Sequence, residues 1–169
     1  MESKDYITIF GIFVTLIISS ISLYISLRNN KKTLFINSIT SSRIKWIGIL
    51  RENISQFCGL TYHFAITELS DIEKQKVIEQ IDKLRFLIKL QLNRNDKFDV
   101  KLMKKVDLIP KLTDPRKNEE LKTEIDNLIK LSQDLLKLEW EGAKLESMKG
   151  ILTQKEKDEL YQKYLRTNK

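Results

Sequence analysis

Beyond its carboxylates, this chain offers nucleophilic or general-base chemistry one histidine, His63, and one cysteine, Cys58. A hydrolytic triad needs a base held between a nucleophile and an orienting carboxylate, and a metal site needs several converging His, Cys or carboxylate ligands. One His and one Cys five residues apart supply neither. The Asp and Glu residues are spread as on solvated helix faces. No Gly-rich phosphate loop, G-x-S-x-G elbow or H-E-x-x-H occurs. The expectation is a protein that is not an enzyme and carries no metal ion or cofactor. His63 falls near the end of a helical pattern, where an imidazolium suits the helix dipole. Cys58 cannot close an intrachain disulfide and reads as a packing residue in a reducing cytosol.

The densest unusual cluster is Arg43-Ile44-Lys45-Trp46-Ile47, with Arg51 downstream. Arg43, Ile47 and Arg51 share a helix face. Arginine captures carboxylate or phosphate in a bidentate fork, and tryptophan stacks on planar or cationic groups. Arg43, Lys45, Trp46 and Arg51 are therefore candidate ligand or anion contacts. The competing reading makes Trp46 a core anchor and pairs the cations with carboxylates on neighbouring helices.

The element that must position everything else is Tyr6–Leu27, twenty-two residues without a charge or a proline. At about 1.5 Å per residue such a helix is ~33 Å long, close to the thickness of a bilayer's hydrocarbon core. Within hydrocarbon a helix pairs every backbone polar group internally. The stretch is expected to be a transmembrane helix. A cleaved signal peptide would need a basic start and a small-residue cleavage site, but Glu2 and Asp5 offset Lys4 and no such site follows. A surface-lying amphipathic helix would need a charged face.

Small and hydroxylated residues recur around this helix at steps of three and four: Thr8, Gly11, Thr15, Ser19, Ser22 and Ser26. That period places them in one stripe. In lipid, such a face packs against another helix. A single-span chain has no second helix of its own, so the expected partner is another copy, with a wet pore as the sharper possibility. Alternatively, the hydroxyls bond back to their own i−4 carbonyls and the stripe carries no function. After the span come Arg28, Lys31 and Lys32, a juxtamembrane anchor. Positive residues stay on the cytoplasmic side. The tail, residues 1–5, is therefore expected outside, the span at 6–27, and residues 28–169 in the cytosol.

The remainder suits one small domain. It is rich in Lys, Leu, Ile and Glu, and the whole chain has only 5 Gly and 2 Pro, a composition of long helices rather than sheets. The net charge of +7 is spread along the chain and suits anionic lipid headgroups. No basic run with interleaved aromatics and no zinc-finger spacing calls for specific nucleic-acid recognition.

Apolar periodicity predicts helices at about 32–63, 71–92, 99–108, 116–149 and 154–166. The first carries Ile36, Ile39, Arg43, Trp46 or Ile47, Leu50, Ile54, Phe57 and Thr61. It either continues the span or is broken from it at Asn29-Asn30. Ser70-Asp71-Ile72-Glu73 and Thr153-Gln154-Lys155-Glu156 are capping boxes. Asp114 and Pro115 suit an N-cap and a first helical position. The fourth helix has a partly heptad-like line, Leu121, Ile125, Leu128, Leu131, Leu135, Leu138, Gly142 and Leu145, and Gly150 suits its C-cap. Leu160, Tyr164 and Leu165 give the last helix one apolar face. The expected fold is all-α: an N-terminal transmembrane helix followed by a cytosolic antiparallel helical bundle.

The segment Ile36-Asn37-Ser38-Ile39-Thr40, with Arg43-Ile44-Lys45-Trp46-Ile47 and Leu50-Arg51, resembles a stretch found just after the span in many small bacterial single-span membrane proteins, "I-N-T-V/I-T-x-x-R-I-K-W-I-x-x-L-R". Lys89-Leu90-Gln91-Leu92-Asn93 and Leu136-Lys137-Leu138-Glu139-Trp140-Glu141 resemble two later motifs of the same proteins, in the same order. The chain departs at Arg94, where proline is common, and at Gly142-Ala143, where Arg-Val is common. Some of these proteins are Hailong-type anti-phage transmembrane effectors. That resemblance implies an oligomeric channel in the bacterial inner membrane, governed by a nucleotide-derived signal on the cytosolic helices and paired with a nucleotidyltransferase. The expected function is thus a triggered, homo-oligomeric membrane effector or ion channel. A membrane-tethered scaffold that docks a cytosolic protein is the alternative.

Overall fold

A computed structural model of the chain describes residues 3–149 and 152–167, and the side chains of all of these except 3–5, 7, 31, 32, 35 and 164–167. The expected C-cap at Gly150, the face formed by Tyr164 and Leu165, and the first two residues of the N-terminal tail lie outside this description. Among the described residues every regular element is helical.

The first helix, α1, runs unbroken from Ser3 to Ile66, 64 residues, or about 96 Å. Asn29-Asn30 does not interrupt it. Asparagine costs a helix only about 0.7 kcal/mol relative to alanine, and no proline lies nearby to remove a backbone donor. Cooperative helix on both sides outweighs that cost. Thr8–Asn30 of α1 has a mean hydropathy of 2.2 and is long and apolar enough to cross a membrane; none of it is buried by the rest of the chain.

Beyond this stretch α1 becomes the spine of a bundle. Ile47, Leu50, Ile54, Phe57, Cys58, Thr61 and Ala65 are buried along one side. The chain then turns into α2, Asp71–Gln91, through the Ser70 capping box: the Glu73 amide donates to Ser70 Oγ at 3.4 Å and the Ser70 amide to Glu73 Oε2 at 2.9 Å. Glu73's carboxyl is held below its usual range by these bonds from Ser70. α2 buries Ile81, Leu84 and Ile88.

The third helix, α3, spans Lys97–Leu108. It starts two residues before the predicted 99 because Asp96 is its N-cap and accepts from the Phe98 amide at 2.7 Å. Pro110 sits inside a short 3-10 turn, Ile109–Leu112, which buries Ile109 and Leu112. Asp114 caps a second 3-10 turn, Pro115–Lys117, and α4 follows from Asn118 to Lys149. The Thr153 capping box opens α5, Gln154–Thr167.

Within the bundle α1 lies between α2 and α4. α4 runs antiparallel to it: Arg43 meets Glu139 and Glu146, while Ile54 and Cys58 lie beside Ile129 and Ser132. α3 closes the third side, tied to α2 by Lys89–Asp107 at 2.9 Å and to α4 by Lys105–Glu124. Fully buried Leu50, Phe57, Ile88, Leu102, Val106, Ile109, Leu121 and Leu128 form the shared core. Such side chains contribute about 1.5–3 kcal/mol each on burial.

The buried line of α4 differs from the heptad-like one predicted. It passes through Leu121, Ile125, Leu128, Ser132, Leu135, Leu136, Gly142, Ala143 and Glu146, leaving Leu131, Leu138 and Leu145 half-buried. A straight helix drifts about 20° per heptad from a 3.5-residue repeat, so the next row of residues moves into the core.

Candidate functional site

Two places in the molecule have the composition of a working site: the exposed apolar half of α1, and the junction where α1 meets α4. In the first, Gly11, Thr15, Ser19, Ser22 and Ser26 are all exposed, as is Thr8. Thr15 Oγ1 donates to the Gly11 carbonyl at 2.8 Å, and Ser20, off the stripe, does the same to Leu16 at 2.8 Å. The back-bonded geometry therefore holds for Thr15. A β-carbon added at Gly11 would meet nothing within 4 Å, so that position is open to a neighbour. Arg28 is exposed at the end of this half. The side chains of Lys31 and Lys32 lie outside the described residues.

At the junction, Arg43 reaches across to α4. Its Nη1 lies 3.0 Å from Glu146 Oε2 and its Nε 3.6 Å from Glu139 Oε2. Gly142 stands between these two carboxylates in sequence. A β-carbon there would come within 3.3 Å of Arg43 Nη1, so the glycine leaves room for the guanidinium. Glu146 is the notable member, with only 5% of its side chain exposed. A carboxylate so placed requires a cation beside it. Burial raises the carboxyl of Glu139; Arg43 and Lys157 draw it back down, and Asp99 and Asp96 push it up.

Trp46 points to α2 instead. Its Nε1 donates to the Gln91 carbonyl at 3.0 Å, and Asn53 Nδ2 donates to Gln91 Oε1 at 3.3 Å. Trp46 packs on the core as it does so. Lys45 and Arg51 are exposed. Arg51 borders a cleft between α1 and α4 with Ile54, Ser55, Cys58, Ile129 and Leu136, about 330 Å³ in volume. The four candidate contact residues thus have different surroundings and do not converge on one ligand.

A cavity of about 360 Å³ opens next to Arg43, lined by Asn95, Asp96, Lys97, Glu139, Gly142, Lys157, Asp158 and Tyr161 among others. Its charges are mixed. Tyr161 stands edge-on to Phe98, ring centres 6.0 Å apart. Behind it Asp99 is buried and accepts from the Asn93 amide at 2.6 Å. Burial raises the Asp99 carboxyl, the Asn93 amide opposes this, and Asp96 adds to it. Among the described residues no group of three or more His, Cys, Asp or Glu side chains could hold a metal ion. His63 is exposed, its Nδ1 3.1 Å from Thr67 Oγ1. Burial pushes the Cys58 thiol up to about 12, out of the range of a working nucleophile.

No protein-family model, curated protein or solved structure matches this chain.

The competing reading from the sequence, Trp46 as a core anchor and the cations paired with carboxylates on a neighbouring helix, holds for Trp46 and Arg43. The sequence did not name Glu146, Glu139, Gly142 and Gln91 as the partners. One signal was present. Glu146 falls in the apolar phase of α4, four residues after Gly142, and a charge on a core face implies a buried counter-charge.

Proposed function

We propose that this chain is a single-pass membrane protein that acts without catalysis, as a homo-oligomeric effector perturbing its own membrane when a signal reaches its helical bundle. The observation that carries this reading is the continuity of α1. One helix is apolar and uncovered over Thr8–Asn30 and forms the spine of the core over Thr40–Ala65. A change in how α4 or α2 grips the lower half is delivered to the upper half without an intervening hinge. The hydroxyl stripe supplies the face for packing between copies. The absence of any Asp or Glu between Asp5 and Glu52, with Arg28, Lys31 and Lys32 after the span, supports an outside N-terminus and a cytosolic bundle. The bacterial inner membrane, the channel activity, the nucleotide-derived trigger, the nucleotidyltransferase partner and the anti-phage setting rest on the resemblance of Ile36–Arg51, Lys89–Asn93 and Leu136–Glu141 to small bacterial single-span membrane proteins, some of which are Hailong-type effectors.

The test is controlled expression in cells loaded with a potential-sensitive dye, together with the neighbouring genes. The reading predicts depolarisation on triggering, weakened by Ser19→Leu with Ser22→Leu. An unchanged potential under every trigger would refute it.

One observation favours a tethered scaffold instead. The α1–α4 cleft continues past Arg51 to Trp140, which is 49% exposed, and Ile129, at its other end, is 37% exposed. On that reading Trp140→Ala abolishes capture of a cytosolic protein, and the stripe substitutions have no effect.

A further inference from the structure

The end of α4 that points back along α1 is placed to touch the surface of the membrane that α1 crosses. A cleft of about 280 Å³ separates the two helices there, lined by Asn29, Thr33, Ile36 and Asn37 of α1 and Ser147, Met148 and Lys149 of α4. Asn29 follows the last uncharged residue of the span, Leu27, by two positions and Asn37 by ten. At about 1.5 Å per residue, the end of α4 therefore stands ~3–15 Å beyond the hydrocarbon. The headgroup layer on each side of a bilayer is itself about 5–8 Å thick. Because α1 has no break in this interval, the level of α4 is fixed relative to the span.

The surface at that level has the chemistry of a lipid contact. Met148 is 75% exposed and Leu34, on α1, is 62% exposed. Among the described residues neither side chain is covered by the bundle. Lys144 and Lys149 are exposed beside Met148, and Arg28 is exposed on α1. Of the acidic groups nearby, Glu146 is buried against Arg43, while Glu156, opening α5, has its carboxyl held below its usual range by the amide and hydroxyl of its own cap, Thr153, and by Lys149, so that Lys149 is shared with it. Lys149 also lies in the last turn of α4, where it offsets the negative end of the helix dipole that would otherwise face the lipid. Cations within a Debye length of an anionic surface are drawn to it, and a neighbouring apolar side chain can enter the interface.

We infer that the membrane-proximal end of α4 is a second membrane contact, in which Lys144 and Lys149 bind anionic phospholipid headgroups and Met148 inserts beside them. This rests on the reading of Tyr6–Leu27, within the apolar half of α1, as the membrane span. The contact would clamp α4 to the bilayer, so that α4 and α1 are both held at the same surface and the Arg43–Glu146 pair between them is set by it.

The experiment uses the full chain reconstituted into vesicles, with single labelled cysteines at Ser19→Cys in the span, Met148→Cys at the end of α4, and Ile72→Cys at the start of α2. Quenching is read with spin labels carried on lipid headgroups or on acyl chains. In vesicles containing phosphatidylglycerol, the label at 148 should be quenched by headgroup spin labels and the label at 72 should not. Lys144→Glu with Lys149→Glu should bring quenching at 148 down to the level at 72, with unchanged circular dichroism. Equal quenching at 148 and 72, while the label at 19 responds to acyl-chain spin labels, would overturn the second contact and leave the span standing. Equal quenching at 148 with and without phosphatidylglycerol would overturn headgroup recognition by the lysines. A label at 19 that does not respond to acyl-chain spin labels would overturn the span itself.

Discussion

The two halves of α1 are one helix in two environments. From Tyr6 to Asn30 every described side chain except half-buried Val14 is exposed, although most are large and apolar. From Thr40 to Ala65 the same helix buries one side, and its exposed side carries mostly polar side chains along with Ile44, Ile49 and Tyr62. Two phenylalanines make the contrast concrete: Phe13 is 62% exposed and Phe57 fully buried. An apolar stripe can be satisfied by neighbouring helices, but an apolar circumference cannot, because no bundle surrounds it. The comparison separates what the chain completes by itself from what it leaves to its surroundings.

The largest effect that would test this contrast is on Phe57. Phe57→Ala should cost the bundle about 3–5 kcal/mol, since it removes a buried ring and leaves a cavity. Phe13→Ala should leave bundle stability unchanged. Denaturant unfolding of the detergent-solubilised chain, followed by tryptophan fluorescence, distinguishes them, and equal costs at both positions would break the comparison. Next is a charge in the upper half. Ile17→Lys should oppose membrane insertion by about 2.5–3.5 kcal/mol, the cost of lysine at the centre of a span. The readout is the fraction of the protein recovered with membranes after alkaline extraction.

The lower half is sharpened by Arg43. Arg43→Met strands Glu146, whose side chain is 5% exposed, and should cost about 2–3 kcal/mol; the penalty is below that of a wholly buried pair because Arg43 keeps 22% of its surface in water. Adding Glu146→Leu should recover most of the loss, which a double-mutant cycle would measure. The smallest effect at neutral pH is at Cys58. Its thiol is raised from 9.0 to about 12 by burial. Below pH 9 it is neutral in both folded and unfolded chains, and its contribution is fully present. As pH climbs from 9.0 toward about 12 the unfolded thiol ionises first, so stability should fall over that window. Cys58→Ala should flatten that part of the stability–pH curve.

Local chemistry was legible where it is carried by neighbours in sequence. The capping boxes at Ser70 and Thr153 form with the bonds their spacing implies, and the apolar phase of α1 from Leu50 to Thr61 is the buried one. The all-helical class follows from the same periodicity. Distant pairing was not legible. Nothing adjacent to Arg43 announces Glu146 more than a hundred positions later, and nothing around Trp46 names the Gln91 carbonyl. Continuity across Asn29-Asn30 was undecided from sequence because asparagine suits both a helix and a turn. The drift of α4 away from Leu138 and Leu145 was hidden because heptad and 3.6-residue periods agree over two turns and separate over five.

The central claim is that α1 passes from its uncovered half into the bundle as one rigid helix. Spin labels at Ser20→Cys and Lys45→Cys, both exposed positions, test it by dipolar distance measurement in vesicles, diluted with unlabelled chain to suppress distances between copies. The account predicts a single narrow distance near ~37 Å, twenty-five residues at about 1.5 Å each. A broad distribution, or one centred well below that length, would place a hinge at Asn29-Asn30 and contradict the account.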